Sequence, residues 1–206
     1  MANTRTVGIL IFDDVEVLDF CGPFEVFSVA GRRDGLELFR AITVAGTRAP
    51  VRARGGLSIN PDHSLSDCPS LDVLVIPGGY GTRREMKNES LLQWIGQRAE
   101  QSELLLSVCT GALLAGRAGL LDGRNSTTHH AALDLLQETA PATRVHPDRR
   151  LLDNGRVIVA AGISAGIDAS LYIIGRLHGW DCAAETARYM EYDWDQERVQ
   201  TSAQAV

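Results

Sequence analysis

The hydrophobic positions of this chain fall into short runs of two kinds. Continuous apolar runs rich in β-branched residues predict buried strands, whereas apolar residues repeated every three or four positions predict amphipathic helices. The predicted strands are residues 6–12, 36–46, 71–79 and 103–108, with hairpins at 51–60 and 149–162 and a short extended piece at 124–129. The predicted helices are residues 22–32, 89–100, 110–118, 130–138, 165–179 and 182–192.

Strands and helices that alternate in this way predict a mostly parallel central sheet with helices on both faces. The expected fold class is therefore a three-layer α/β sandwich of the flavodoxin-like kind. Because the 206 residues contain no linker or repeat, we expect a single domain over residues 1–206. Ligands in such folds bind beyond the carboxyl ends of the strands, so residues at those ends are the first candidates for a site.

Composition excludes several classes of function. The net charge is −6, so the clustered basic surface that nucleic-acid binding requires is not expected. No apolar run is long enough to cross a bilayer, so no membrane partner is expected. The first residues, MANTRTVGILIF, enter a strand-like run without a cleavage site, which is unlike a signal peptide. A cytoplasmic location follows as the default expectation.

The four cysteines form no pattern among themselves. They are Cys21, Cys68, Cys109 and Cys182. No two of them make a Cys-x-x-Cys unit, and they are too few and too scattered for a disulfide framework. We therefore expect no metal site, and each cysteine is a small buried hydrophobe unless its own surroundings indicate otherwise.

Cys109 has such surroundings, because it stands between a predicted strand and a predicted helix. The sequence SVCTG, residues 107–111, resembles a nucleophile elbow in which serine replaces the first glycine. A helix N-terminus favours an anion, which predicts a lowered thiol pKa. Cys109 is therefore a candidate nucleophile. The alternative is a structural cysteine buried at the end of a strand.

Two other strand ends carry candidate residues. Gly78 and Gly79 follow the strand at 71–79, and their bare backbone could present N–H groups to a substrate or an oxyanion. Asp19 lies on a predicted loop among apolar residues, where a carboxyl group with a raised pKa could exchange protons with a substrate. Local sequence slightly favours the alternative that Asp19 is a helix N-terminal cap, and the alternative for the glycines is a simple turn.

Histidines and a glycine-rich segment complete the list of candidates. His129, in the sequence TTHH, could orient or protonate Cys109, or it could be a hydrogen-bonded histidine at a strand–helix junction. The segment GISAGID, residues 162–168, is expected to be a structural helix entry with Ser164 as the cap and Asp168 in the first turn.

Three motifs together resemble a known family. IPGGYG, SVCTGALLAGRAGLLDGRNSTTHH and AGISAGIDASL occur in the order seen in the ThiJ/PfpI superfamily, whose fold is like that of the class I glutamine amidotransferases. The resemblance runs from about residue 6 to about residue 192. Within the superfamily, LDFCGPFEVF, CTG and TTHH are most similar to the isocyanide hydratase branch.

The resemblance implies a chemistry. It implies hydration of an isocyanide, a small-molecule substrate, to an N-substituted formamide through a covalent thioimidate, which is a hydro-lyase activity. By position, Cys109 would be the nucleophile, Asp19 the acid and base, and Thr110 the elbow neighbour. The branch needs no metal or organic cofactor, and it forms homodimers with the site near the interface.

Two departures leave the substrate open. Cys21 stands where the hydratase branch has threonine, and His130 stands where it has tryptophan. His129 matches a histidine that other superfamily members place near their cysteine.

Three alternatives also remain. One is a glyoxalase, deglycase or amidase-like enzyme in which Asp19 and His129 share the work. A second is the ligand-sensing domain of an AraC-type regulator, which is disfavoured if the chain is complete, since its polar end DWDQERVQTSAQAV carries no helix-turn-helix. A third is a redox sensor that uses Cys109.

Overall fold

The computed structural model describes residues 4–204, so the first three residues of the segment MANTRTVGILIF lie outside it. Eleven strands occur in this part of the chain: β1 (Arg5–Leu10), β2 (Phe39–Ala45), β3 (Val51–Arg52), β4 (Ser58–Ile59), β5 (His63–Ser64), β6 (Val73–Ile76), β7 (Leu104–Val108), β8 (Asn125–Ser126), β9 (Arg144–Val145), β10 (Leu151–Asp153) and β11 (Val157–Ala160). The helices are α1 (Val17–Val29), α2 (Thr82–Glu85), α3 (Glu89–Gln101), α4 (Gly111–Arg117), α5 (Leu133–Thr139), α6 (Ala165–His178), α7 (Trp180–Tyr189) and α8 (Gln196–Ala203).

Seven strands form the central sheet in the order β10-β11-β7-β6-β1-β2-β5. All neighbouring pairs are parallel except β10 and β11, which form the hairpin expected from the Asn-Gly turn. Helices α1, α6 and α7 pack together, with α1 on β1 and β2 and α6 on β7 and β11. Helix α3 packs against α4, which lies on β6 and β7. The predicted three-layer α/β sandwich of the flavodoxin-like kind is confirmed.

The central position of β6 and β7 follows from their sequences. Every residue of VLVI and LLLSV is buried, as expected for strands covered on both faces. Parallel neighbours end at the same edge of the sheet, so Pro77-Gly78-Gly79 and the Cys109 elbow lie side by side.

Helix α1 differs from the prediction. It begins at Val17 rather than at residue 22, so Asp19 lies in its first turn and Pro23 lies inside it. The prediction placed Pro23 near the first turn of a helix over residues 22–32, where proline is common. The structure instead buries Asp19 and Phe20 with the rest of the helix, and the packing of this segment accommodates the missing N–H of Pro23.

Other differences lie at the edges of the fold. The sequence analysis assigned no element to β5 or α2, which are only two and four residues long. It also assigned none to the polar end of the chain, which forms α8 with Val199 and Ala203 buried. None of the described helices is both long enough and apolar enough to cross a membrane.

Candidate active site

The backbone at Cys109 forms a strained elbow between β7 and α4. Its φ is +56°, in the left-handed region that non-glycine residues seldom occupy. The Cys109 N–H donates to the carbonyls of Ala160 and Ala161, at 3.1 and 3.0 Å, and the Cys109 carbonyl accepts from Thr128 Oγ1 at 2.7 Å. These bonds hold the unusual conformation in place. The predicted elbow is confirmed, and strain of this kind is characteristic of functional sites.

Glycines allow the end of β6 to approach the elbow. A Cβ atom on Gly111 would lie 2.1 Å from the Ile76 carbonyl oxygen, and a Cβ atom on Gly78 would lie 2.5 Å from the Thr110 nitrogen. Neither position has room for a side chain. The close backbone approach predicted for Gly78 therefore exists, but Gly78 approaches the elbow and not a ligand.

The N–H groups of Gly78 and Gly79 are used inside the protein. The Gly78 N–H donates to Asp19 Oδ2 at 2.9 Å, and the Gly79 N–H donates to Thr110 Oγ1 at 3.0 Å. Thr110 Oγ1 also lies 3.1 Å from the Gly79 carbonyl, to which it can donate. The two glycines therefore position Asp19 and Thr110, rather than offering free donors to an oxyanion as the sequence suggested.

Asp19 is a fully buried carboxyl group in the first turn of α1, not a loop residue. Its Oδ2 accepts the Gly78 N–H, while its Oδ1 has no hydrogen-bond partner among residues 4–204. Burial raises the pKa of Asp19 from 3.8 to about 7, against the opposing effect of the hydrogen bond from Gly78. A carboxyl group with a pKa near 7 can both accept and return a proton at neutral pH.

Cys109 and Asp19 form a coupled pair. The thiol is 5% exposed, and its pKa is raised to about 12, first by burial and then by the negative charge of Asp19. This direction is opposite to the lowered pKa that the helix N-terminus predicted. Two adjacent buried groups cannot both be ionised cheaply, so the pair retains a proton at neutral pH. Asp19 is placed to take that proton when the thiol reacts.

Two backbone N–H groups oppose the rise in the pKa of the Cys109 thiol that burial and Asp19 cause. They belong to Thr110 and Ile163, and both lower the pKa of the thiol because they hydrogen-bond to the sulfur. Ile163 follows β11 and has a φ of +49°, which is exceptional for a β-branched residue. The sequence analysis missed Ile163, since only its neighbours in GISAGID attracted attention.

The helix entry after Ile163 also differs from the expectation. Ser164 makes no side-chain cap for α6. Its Oγ instead accepts from Arg150 Nη2 at 3.2 Å, and Arg150 Nε donates to the buried carboxylate of Asp168. Asp168 lies in the first turn of α6, as predicted.

His129 lies beside the elbow. Within residues 4–204, its ring forms no hydrogen bond with Cys109. Its Nδ1 accepts the Ala131 N–H at 3.2 Å, so a neutral ring carries its proton on Nε2. Burial lowers the pKa of His129, and the charges of His130 and Arg83 lower it further. The two histidine rings lie against each other, 4.2 Å between centroids.

The remaining predicted features are simpler. Cys21 is half-buried in α1, and burial raises its pKa, which agrees with a packing role. Between residues 4 and 204, no group of three or more His, Cys, Asp or Glu side chains is arranged to hold a metal ion.

Comparison with known proteins identifies the family. Residues 5–175 match the model of the DJ-1/PfpI family. The chain is 36% identical over 187 residues to an isonitrile hydratase of Pseudomonas putida, covering 90% of this chain and 78% of the relative. It is 30% identical over 191 residues to the HTH-type transcriptional regulator GbdR of Pseudomonas aeruginosa, covering 93% of this chain but 52% of the regulator.

A solved structure of a protein from the same family has a similar fold. A ThiJ/PfpI family protein from Pseudomonas syringae superposes with a TM-score of 0.83 at 28% identity, over 94% of this chain and 77% of the other. The match to the family model covers most of the chain and includes Asp19, both glycines and the Cys109 elbow. This chain belongs to the DJ-1/PfpI family.

Proposed function

We propose that this protein is an enzyme that hydrates isocyanides to N-substituted formamides. The observation that carries the proposal is the buried pair of Asp19 and Cys109, in which a carboxyl group with a pKa of about 7 adjoins a thiol at a strained elbow. The 36% identity to an isonitrile hydratase supports the same chemistry, since isonitrile is another word for isocyanide.

The first half of the reaction forms a covalent thioimidate. Asp19 accepts the thiol proton, and the sulfur of Cys109 attacks the terminal carbon of the isocyanide. That carbon then takes the proton from Asp19, which gives Cys109–S–CH=N–R. The N–H groups of Thr110 and Ile163 stabilise the negative charge on sulfur while the thiolate exists.

The second half consumes water. Asp19 removes a proton from a water molecule as the water oxygen adds to the thioimidate carbon, and it passes that proton to the nitrogen, which gives Cys109–S–CH(OH)–NH–R. Asp19 then takes the hydroxyl proton as the carbon–sulfur bond breaks and the N-substituted formamide leaves, and it returns this proton to the sulfur. The balance is one isocyanide and one water consumed for each formamide released.

The raised pKa of Cys109 favours this function over a redox sensor. Oxidation of a cysteine requires an accessible thiolate. In this site the resting thiol is 5% exposed and keeps its proton, because burial and Asp19 both disfavour the anion. A glyoxalase-type mechanism is disfavoured as well, since it needs His129 to act on Cys109.

The regulator remains a second candidate. The chain is 30% identical to GbdR and spans about half of that protein's length, which is what a ligand-sensing domain would show. Both candidates bind a small molecule, but only the enzyme turns it over.

The proposal includes homodimeric assembly in the cytoplasm. The family resemblance supports the dimer. Light scattering of the purified protein will measure its molar mass directly.

A turnover assay tests the proposed reaction. Purified protein is mixed with an aryl or an alkyl isocyanide, and formamide is quantified by chromatography. The wild type is expected to form product, and Cys109→Ala is expected to form none above background. Equal product formation by wild type and Cys109→Ala would refute the proposal.

A further inference from the structure

Arg83 is a guanidinium group beside the active site that the proposed mechanism does not use. It lies in α2, four residues after Gly79 and partly buried. Its Nη1 is 3.4 Å from the Gly79 carbonyl and 3.2 Å from Thr82 Oγ1. The same Gly79 carbonyl lies 3.1 Å from the hydroxyl of Thr110, the neighbour of Cys109. One end of Arg83 therefore contacts the same carbonyl that the elbow neighbour Thr110 contacts.

The other edge of the guanidinium is open. Nε and Nη2 donate no hydrogen bond to any of residues 4–204, and Arg83 forms no ion pair within this part of the chain. The exposed ring of Tyr80 supports the group from one side, 5.7 Å from Cζ to the ring centroid. The Nε–Nη2 edge is the one that binds a carboxylate through two parallel hydrogen bonds.

The next residue provides a contrast. Arg84 pairs with Asp14 at 3.6 Å and with Glu85 at 2.9 Å, and its Nη2 donates to the Asp13 carbonyl at 2.7 Å. Arg83 has no carboxylate partner of this kind among residues 4–204, and it lies next to Thr82 and Gly79 beside the elbow.

Several charged groups lie near Arg83 on this side of the elbow. Its positive charge lowers the pKa of His129, and the charge of Glu16 acts on both His129 and Asp19. Glu16 itself lies 3.8 Å from Arg54, which offsets part of its repulsion of an anion. A neutral His129 with its proton on Nε2 adds a further donor on this side of the elbow.

We propose that Arg83 binds an anionic group of the substrate, and that the preferred isocyanide carries a carboxylate a few bonds from the isocyanide carbon. This inference rests on the proposed function, and it names the substrate class. Nη1 holds the guanidinium to the elbow, Nε and Nη2 bind the carboxylate, and the isocyanide carbon reaches Cys109. Arg83 is in this view a specificity residue, and it does not take part in bond making.

Matched substrates test the proposal. Isocyanoalkanoates of two to four carbons are compared with their ethyl esters in wild type, Arg83→Gln, Arg83→Lys and the control Arg84→Gln. For at least one acid, Arg83→Gln is expected to raise KM roughly ten- to hundredfold with little change in kcat, since a charge-assisted bidentate contact is lost. For the ethyl ester of that acid, the KM of Arg83→Gln is expected to differ from that of wild type by less than twofold. The KM of Arg83→Lys for the acid should lie between those of wild type and Arg83→Gln, and the KM of Arg84→Gln should match wild type.

A binding measurement separates the two proposals. Titration calorimetry with N-formylglycine and its ethyl ester reports on the anion site without turnover. Arg83-dependent binding of the acid without turnover of any isocyanide would support the anion site and refute the hydratase. If the enzyme turns over isocyanides but Arg83→Gln raises KM equally for the acid and its ester, the role of Arg83 is refuted. The same holds if Arg84→Gln raises KM for the acid as much as Arg83→Gln does. Circular dichroism of each variant checks that it is folded.

Discussion

Replacing Asp19 by asparagine separates stability from catalysis in this site. Asparagine has the same shape and keeps an oxygen that can accept the Gly78 N–H, which lies 2.9 Å from Asp19 Oδ2. It cannot ionise or carry a proton. The fold is therefore expected to remain, while two consequences of the buried carboxyl group disappear.

The first consequence is a cost in stability. The folded protein binds the Asp19 proton more tightly than the unfolded chain does, because burial raises the pKa from 3.8 to about 7. The free energy of unfolding therefore falls as the pH rises from about 4 to about 7, and the loss is complete above that range. At about 1.4 kcal/mol per pH unit, the stability lost relative to low pH is about 4 kcal/mol at pH 8 and roughly 1.5 kcal/mol at pH 5.

Asp19→Asn is thus expected to be more stable than the wild type at pH 8, by up to about 4 kcal/mol, with a smaller advantage at pH 5. Turnover should fall about 10²- to 10⁴-fold, which is the usual contribution of a general acid and base. Urea unfolding at the two pH values measures the first effect, and formamide formation measures the second. A variant that is less stable than wild type at pH 8, or that keeps full turnover, would refute the reasoning about Asp19.

Three further predictions concern the elbow. Gly111→Ala should destabilise the protein by about 1–3 kcal/mol in urea unfolding, because its Cβ would lie 2.1 Å from a carbonyl oxygen, whereas Gly96→Ala in α3, with no atom within 4 Å, should be neutral or slightly stabilising. Alkylation of Cys109 by iodoacetamide should have a midpoint well above 8.5, and Asp19→Asn should lower that midpoint; an unchanged midpoint would show that the two groups are not coupled. Thr110→Val should cost about 1–3 kcal/mol in the same unfolding assay, because it leaves a buried N–H without its acceptor, and a cost near zero would contradict the observed bonds.

Local pattern was sufficient for the strands and for the elbow. The runs at 71–79 and 103–108 contain the strands VLVI and LLLSV, which are apolar except for Ser107, and continuous burial of this kind leaves few alternatives to a central strand. The spacing of Cys109 and Gly111 also indicated a sharp turn, because only a residue without a side chain fits at position 111. These features depend on neighbours in sequence, so the sequence could be expected to reveal them.

Local pattern failed where distant segments determine the outcome. Proline at position 23 suggested a helix start, but the helix begins at Val17 because the segment before the proline is also packed into the core. The helix N-terminus suggested a lowered thiol pKa at Cys109, but burial and the carboxyl group of Asp19 raise it.

The sequence by itself determined that this chain is an α/β sandwich with a cysteine at a strand–helix elbow, since periodicity and small residues are local properties. Asp19 was named through family resemblance and not through any spacing rule. Only the tertiary structure decided that Gly78 holds Asp19 rather than a substrate, that Ile163 directs its N–H at the sulfur, and that Arg83 is left with an open edge. The physical reason is that burial and electrostatic coupling depend on which strand ends meet, and that arrangement exists only after the sheet has formed.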